Sequence, residues 1–171
     1  MTITEALHRD HLVTKLILEN LIEQTVTATD DESDWRETLL LLRTAVFAHD
    51  RAEETVFYDW LGTIPHRLEV ADQKTEEHHL IEGALDTLWT LIPADSIWET
   101  QVSILKNLLE GHISEEETAI FSVAEAAMSD DEAMQLARDF SRTRSELIEG
   151  FRTHPLAHPQ KKSGTHQAPL R

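Results

Sequence analysis

The chain has 171 residues, no cysteine, 5 Gly and 5 Pro, and a formal net charge of −17. That length suits one domain with a real core; the missing thiols exclude disulfides and thiolate metal sites; the negative charge argues against nucleic acid or an anionic membrane as partner. No apolar run reaches the ~20 residues of a membrane span, and Met1-Thr2-Ile3-Thr4-Glu5 is not a signal peptide, so the cytoplasm is the expected location.

The composition, rich in Leu, Ala and Glu, favours helix. A first helix is expected over 3–28, opened by a Thr2/Glu5 capping box and striped by Leu7, His11, Leu18 and Leu21. The polar run 29–33 ends it. A second runs from about Asp34 to Leu61 and stops at Gly62. A third starts at Thr63-Ile64-Pro65, with Thr63 as N-cap, and ends near Ile92, before Pro93. A capping box at Ser96 and Glu99 opens a fourth, to about Met128. Ser129 opens a fifth, to about Phe151, with Ala133, Ala137, Phe140 and Leu147 on one side. Residues 153–171, rich in Pro, His, Lys and Gln, read as a disordered tail. The expected fold is all-α over 1–152: an up-down-up-down four-helix bundle, with the fifth helix outside it or capping one end.

The stretch His49-Asp50-Arg51-Ala52-Glu53-Glu54 sits mid-helix among Leu42, Val46, Val56 and Trp60. Its echo is His112-Ile113-Ser114-Glu115-Glu116-Glu117, among Leu105, Leu109, Ala119 and Val123. His-x-x-x-Glu puts both groups on one helix face. From His49 to His112 and from Glu53 to Glu116 is the same 63-residue step, and Asp10-His11 recurs as Glu77-His78. The chain thus reads as two copies of one unit, each with a lone inward His and then an inward His-x-x-x-Glu. Measured along antiparallel helices, His11 and His49 lie ~25 Å from their shared loop, His78 ~21 Å and His112 ~24 Å from theirs. All four reach one level.

Six ionisable groups aimed into a core need a reason, because buried unpaired charge is costly. A metal accepts neutral imidazole and carboxylate together. The expected ligands are His11, His49, Glu53, His78, His112 and Glu116. These are too many for one small ion with an open position, and fit two ions ~3.5–4 Å apart with Glu53 and Glu116 bridging. Donors without sulfur suit Fe, Mn or Zn, and spacing does not choose among them. With no metal, at least one of the two facing carboxylates should hold a proton. The bland alternative is a set of ordinary core histidines.

With these residues in view, the sequence resembles the hemerythrin-like, HHE cation-binding domains over roughly residues 5–125. The resemblance is carried by Asp10-His11, His49-x-x-x-Glu53-Glu54, Glu77-His78-His79 and His112-x-x-x-Glu116-Glu117. It implies a four-helix bundle holding two Fe ions as a non-haem di-iron centre, which binds or senses O2, NO or peroxide, or handles iron. Mn or Zn remain open. A di-iron redox enzyme of peroxidase or oxidase type, and an interaction bundle with structural metal or none, are the alternatives.

The oxygen-carrying members place a second His in the third helix as His-x-x-x-His and end with His-x-x-x-x-Asp. Here Glu82 stands four after His78, and Glu116 ends the fourth helix's pair, a more anionic set expected to favour Fe(III) over reversible O2 carriage. Glu82 is either a third carboxylate ligand or the partner of Lys15, its neighbour in the repeat. Glu54, Glu115, Glu117, Asp50 and His79 are expected to face solvent, with Asp50 otherwise bonded to a ligand imidazole. Tyr58 is expected to fill core. Gly111 either leaves room for a diatomic or allows close helix packing.

Overall fold

The structure, a computed structural model, describes residues 1–26, 33–65 and 67–153. The chain folds as α1 (Ile3–Val26), α2 (Ser33–Glu53), a π-helical turn (Glu54–Tyr58), α3 (Asp59–Gly62), α4 (Leu68–Trp89), α5 (Trp98–Glu115), a second π-helical turn (Glu116–Ile120), α6 (Phe121–Ala127) and α7 (Asp130–Thr153). Residues flanking both π turns keep right-handed helical dihedrals, so α2 runs into α3 and α5 into α6 as continuous rods. The expected all-α bundle is what forms: α1 packs on α2, α2 on α4, α4 on α5, and α5 closes sparsely on α1. The fifth rod, α7, lies against α1 and α2 rather than across an end. Among the described residues, no helix is long and apolar enough to cross a membrane.

Two of the expected caps form. Thr2 N–H donates to Glu5 Oε2 at 2.8 Å and Glu5 N–H to Thr2 Oγ1 at 3.3 Å. Ser129 and Glu132 close the same reciprocal pair before α7. The third helix starts later than expected. The N–H groups of Thr63 and Ile64 bond back to the carbonyls of Trp60 and Leu61, ending the previous rod, and α4 begins only at Leu68. Likewise α5 starts at Trp98, because Asp95 closes a turn on Ile92 and takes the Trp98 N–H on its own carbonyl, which leaves Ser96 outside the helix. The expected loop at 29–33 falls mostly on residues outside those described, as does the tail beyond residue 153.

The interior is two apolar clusters. One holds Ile3, Leu7, Phe57, Leu61, Phe121, Ala124 and Phe140. The other holds Leu18, Leu21, Trp35, Leu39, Leu42, Leu85, Leu88 and Leu105. His11, His49, His78 and His112 lie between them along each helix. Leu85 is fully buried in the second cluster, whereas Leu16 on α1 is 64% exposed. Leu85→Ala should cost roughly 2–5 kcal/mol of unfolding free energy, and Leu16→Ala no more than about 0.5 kcal/mol, as read by urea titration. Equal losses would contradict this core.

Candidate metal centre

The helical repeat alone brings four imidazoles to one level, and their orientation comes from carboxylates. His11 Nδ1 bonds Glu117 Oε1 at 2.9 Å, His78 Nδ1 bonds Glu54 Oε1 at 3.0 Å, and His112 Nδ1 bonds Glu77 Oε2 at 3.0 Å. His49 Nδ1 lies 3.5 Å from Asp10 Oδ2. The arrangement follows the duplication: Asp10 serves His49 as Glu77 serves His112, and Glu54 serves His78 as Glu117 serves His11. A ring nitrogen fixed this way turns the other nitrogen inward and makes it a better donor to a cation.

The inward nitrogens converge on two carboxylates. Glu53 Oε2 is 3.5 Å from His49 Nε2 and 3.4 Å from His78 Nε2. Glu116 Oε2 is 3.3 Å from His11 Nε2 and 3.5 Å from His112 Nε2. Each carboxylate therefore faces one His of each half. The two Nε2 atoms of His78 and His112 are 3.2 Å apart. Two sets of three could each hold a cation, His11 with His49 and Glu53, and Glu53 with His78 and His112, the donor atoms of each within 4.8 Å of one another. Both carboxylates are fully buried. Both oxygens of Glu53, Glu116 Oε2, His11 Nε2 and His49 Nε2 have no hydrogen-bond partner. Buried acceptors without donors, facing imidazole nitrogens without partners, fit a cation and fit little else.

The structure does not bring Glu82 into either set. Arg51 reaches across from α2 and binds it at 2.8 Å, while also gripping Glu54. Lys15 is not its partner; the Lys15 charge is felt at Glu117 instead. Glu54 and Glu117, expected in solvent, turn back onto imidazoles, and Glu115 joins Glu77 on the buried ammonium of Lys74. His79 faces solvent as expected. Gly111 neither lines the site nor packs closely, since an added Cβ would meet nothing within 4 Å.

Tyr58 fills core as expected, and the residues after Glu116 depart from regular helical phase. Tyr58 is buried beside the site: it stacks on His78 with ring centroids 5.5 Å apart, and its hydroxyl donates a short hydrogen bond to Glu116 Oε1. The π turn after Glu53 inserts one extra residue per turn and rotates the following side chains inward. The second π turn does the same after Glu116, so Ile120 and Phe121 are buried where Ala119 and Val123 were expected, and Phe121 stacks on His11. Asp50 is buried, not solvated, with Oδ1 3.9 Å from His78 Nε2. The sequence signal that finds the outer carboxylates was present: Asp10 with Glu77, and Glu54 with Glu117, obey the same duplication as the inner His and Glu.

Without a bound cation, Glu53 is held in its charged form by the imidazoles beside it, against the expectation of a proton there. Burial alone would raise the Glu53 pKa, but the imidazoles of His49 and His78 facing it hold it well below the usual carboxylate range. Burial opposes charging of His49, yet Asp10 and Glu53 outweigh it and raise its pKa to about 10. Burial raises Asp50 to about 7. Burial, with the charges of Glu53 and Glu116, also holds the Tyr58 phenol well above its ordinary value.

A family model described as the hemerythrin HHE cation binding domain matches residues 2–124. No curated protein and no solved structure matches the chain.

Two outcomes follow from this geometry. The folded pKa values of His49 and Asp50 both lie above those of the unfolded chain. Each therefore contributes stability at low pH that is lost as pH rises, Asp50 between 3.8 and about 7 and His49 between 6.5 and about 10. In chelator, Tm should fall from about pH 6 to about pH 10, and His49→Gln should flatten that fall; an unchanged slope would contradict the assignment. Separately, Glu117→Ala and Glu54→Ala should each weaken metal binding roughly 10- to 100-fold, measured by competition with a chelating dye, while Glu76→Ala, on the exposed face of α4, leaves it unchanged.

Proposed function

We propose that this chain, which belongs to the hemerythrin HHE cation-binding domain family, holds a pair of iron ions and uses them, in the cytoplasm, to bind or sense a small ligand such as dioxygen, nitric oxide or peroxide, or to handle iron. His11 and His49 would bind one ion and His78 and His112 the other, with Glu53 and Glu116 between them. Glu82, held by Arg51, adds negative charge beside the site.

The observation that carries this reading is that Glu53 belongs to both candidate sets. Its two oxygens lack donors, and it faces an imidazole from each half of the chain. One carboxylate shared between two nitrogen pairs suits two close ions, whose mutual repulsion a bridging anion relieves. Iron is favoured by the nitrogen and oxygen donors without sulfur, which manganese and zinc also accept.

Bound iron would supply a redox-active centre able to take up a small oxygen- or nitrogen-containing ligand. The chain's own part is distinct from that. Glu54, Glu77, Glu117 and Asp10 hold each imidazole in the tautomer that leaves Nε2 free to donate. Phe57, Phe121 and Phe140 keep water from the layer on one side, and Leu42, Leu85 and Leu105 on the other. Tyr58 donates its hydroxyl proton to Glu116 and fixes that carboxylate's orientation.

Metal analysis of protein purified from its native host should give about two ions per chain, mostly iron, with a change in absorbance on moving from anaerobic buffer to air. Glu53→Ala should lose both ions or keep one weak site, because that side chain faces both positions. A single ion at saturation, or full occupancy in Glu53→Ala and Glu116→Ala together, would refute the paired site. Sustained consumption of peroxide would move the reading from ligand binding to a redox enzyme.

A further inference from the structure

The duplication that pairs the two halves also pairs the seams between their helices. The step that carries His11 onto His78 carries Leu18 onto Leu85, Glu19 onto Asp86 and Ile22 onto Trp89. The step that carries His49 onto His112 carries Arg43 onto Lys106 and Phe47 onto Glu110. The α2–α4 seam is therefore the counterpart of the α1–α5 seam, and the two are filled differently. In the first, the Arg43 guanidinium is buried and bonded to Asp86, and lies 4.9 Å from the centre of the Trp89 ring and 5.6 Å from that of Phe47. In the second, the matching Lys106 and Glu110 stand exposed, 3.7 Å from each other, and Ile22 takes the place of the indole.

What large side chains occupy on one side is left as space on the other. A cavity of about 50 Å³ lies in the α1–α5 seam, where packing between the helices is sparse. Its floor is Leu18, Leu109 and Ile113, all buried. Its rim is Lys15, Glu19, Lys106 and Glu110. The floor adjoins the ionisable layer. Ile113 follows His112 directly, Leu109 stands one turn before it, and Thr14, on the cavity wall, is one turn past His11, or ~4.5 Å along the axis. Size and lining together select an occupant. A water molecule fills ~30 Å³ of liquid and needs several polar partners, whereas a small apolar cavity takes up apolar guests such as xenon. The rim sets two Lys against two Glu, so it is locally neutral in a chain of net charge −17, and it concentrates neither cations nor anions. A hydrated ion would lose its water against the apolar floor and gain no partner there.

We propose that the α1–α5 cavity is a holding pocket and entry route for an uncharged diatomic gas, dioxygen or nitric oxide, and that the filled α2–α4 seam makes this entry one-sided. The proposal rests on the ligand-binding reading above and narrows its ligand. The gas reaches the layer at the edge formed by His11 and His112. Only side chains stand between cavity and layer there, so rotamer changes of Leu109 and Ile113 open the way without parting the helices. Peroxide and cations, which need polar partners throughout, are not served by this route.

The test uses the full-length chain as purified. Xenon, an inert apolar probe, should bind it and give a shifted xenon NMR signal. Ile22→Trp combined with Glu110→Phe copies the filling of the α2–α4 seam and should abolish that signal; Ile22→Trp alone serves should the double variant fold poorly. Both positions line the outer part of the cavity, away from the His and Glu of the layer, so iron content should stay the same. In the iron-loaded variant, nitric oxide should bind and leave more slowly by the same factor, roughly tenfold. Its Kd should not change, because a route alters the barrier and not the two ends. No xenon signal in the wild type overturns the proposal, as does xenon retained in both variants, or an unchanged nitric oxide association rate in a folded variant of unchanged iron content. Nitric oxide that does not bind the loaded wild type at all would refute the ligand-binding reading, and the proposal with it, whatever xenon shows.

Discussion

Everything in this bundle answers to one constraint: ionisable groups occupy a complete cross-section of its interior. An imidazole or carboxylate in such a layer is tolerated only when its polar atoms are matched. The protein matches them in rings. The inner ring is four Nε2 atoms and the carboxylates of Glu53 and Glu116. The next ring is the four carboxylates on the Nδ1 atoms. Outside that lie three cations, Arg144 on Asp10, Lys74 on Glu77 and Arg51 on Glu54, with the His8 ring beside Glu117. The outer carboxylates are thus answered by protein charge, and the inner ones are left for a cation to answer.

The inner ring was legible in the sequence because it depends only on period and repeat. His-x-x-x-Glu fixes a helix face, and the equal step between its two copies fixes the level. The outer ring was not read, although the same duplication contains it, because regular helical phase points Glu54 and Glu117 away from the core. A π turn begins directly after Glu53 and at Glu116, and such turns have no strong sequence signature. The shift they introduce explains Tyr58, Phe121 and Ile120 together. The delayed starts of α4 and α5 have a different cause: turn hydrogen bonds at Thr63, Ile64 and Asp95 consume the groups that a cap would need. Glu82 shows the limit of reading pairs from a repeat, since its partner Arg51 comes from the adjacent helix, not from the matched position at Lys15.

α7 lies beyond the region matched by the family model, yet it reaches the site. Phe140 packs edge-on against His49 with centroids 5.7 Å apart, and Arg144 binds the Asp10 carboxylate that serves the same imidazole. In the other half, Lys74 does the corresponding work for Glu77 from within α4. The first half has an apolar Leu7 where the second has Lys74, so α7 supplies from outside what the helix itself does not.

The division of the interior into two apolar clusters bears on how an ion enters a layer with no exposed ligand. A polar waist between two oily ends interrupts the continuity of packing that makes a bundle open all at once. The end built from Ile3, Leu7, Phe57, Phe121 and Phe140 includes both π turns and the short α3 and α6 segments, so its backbone is the less regular one. Partial opening costs less than global unfolding where a structure splits into such units. Opening confined to that end would leave the Leu- and Trp-rich end clamped. The side chains of the layer would then be offered to solvent in register, and a cation would enter by a breathing motion of half the molecule and, once held, would latch it shut.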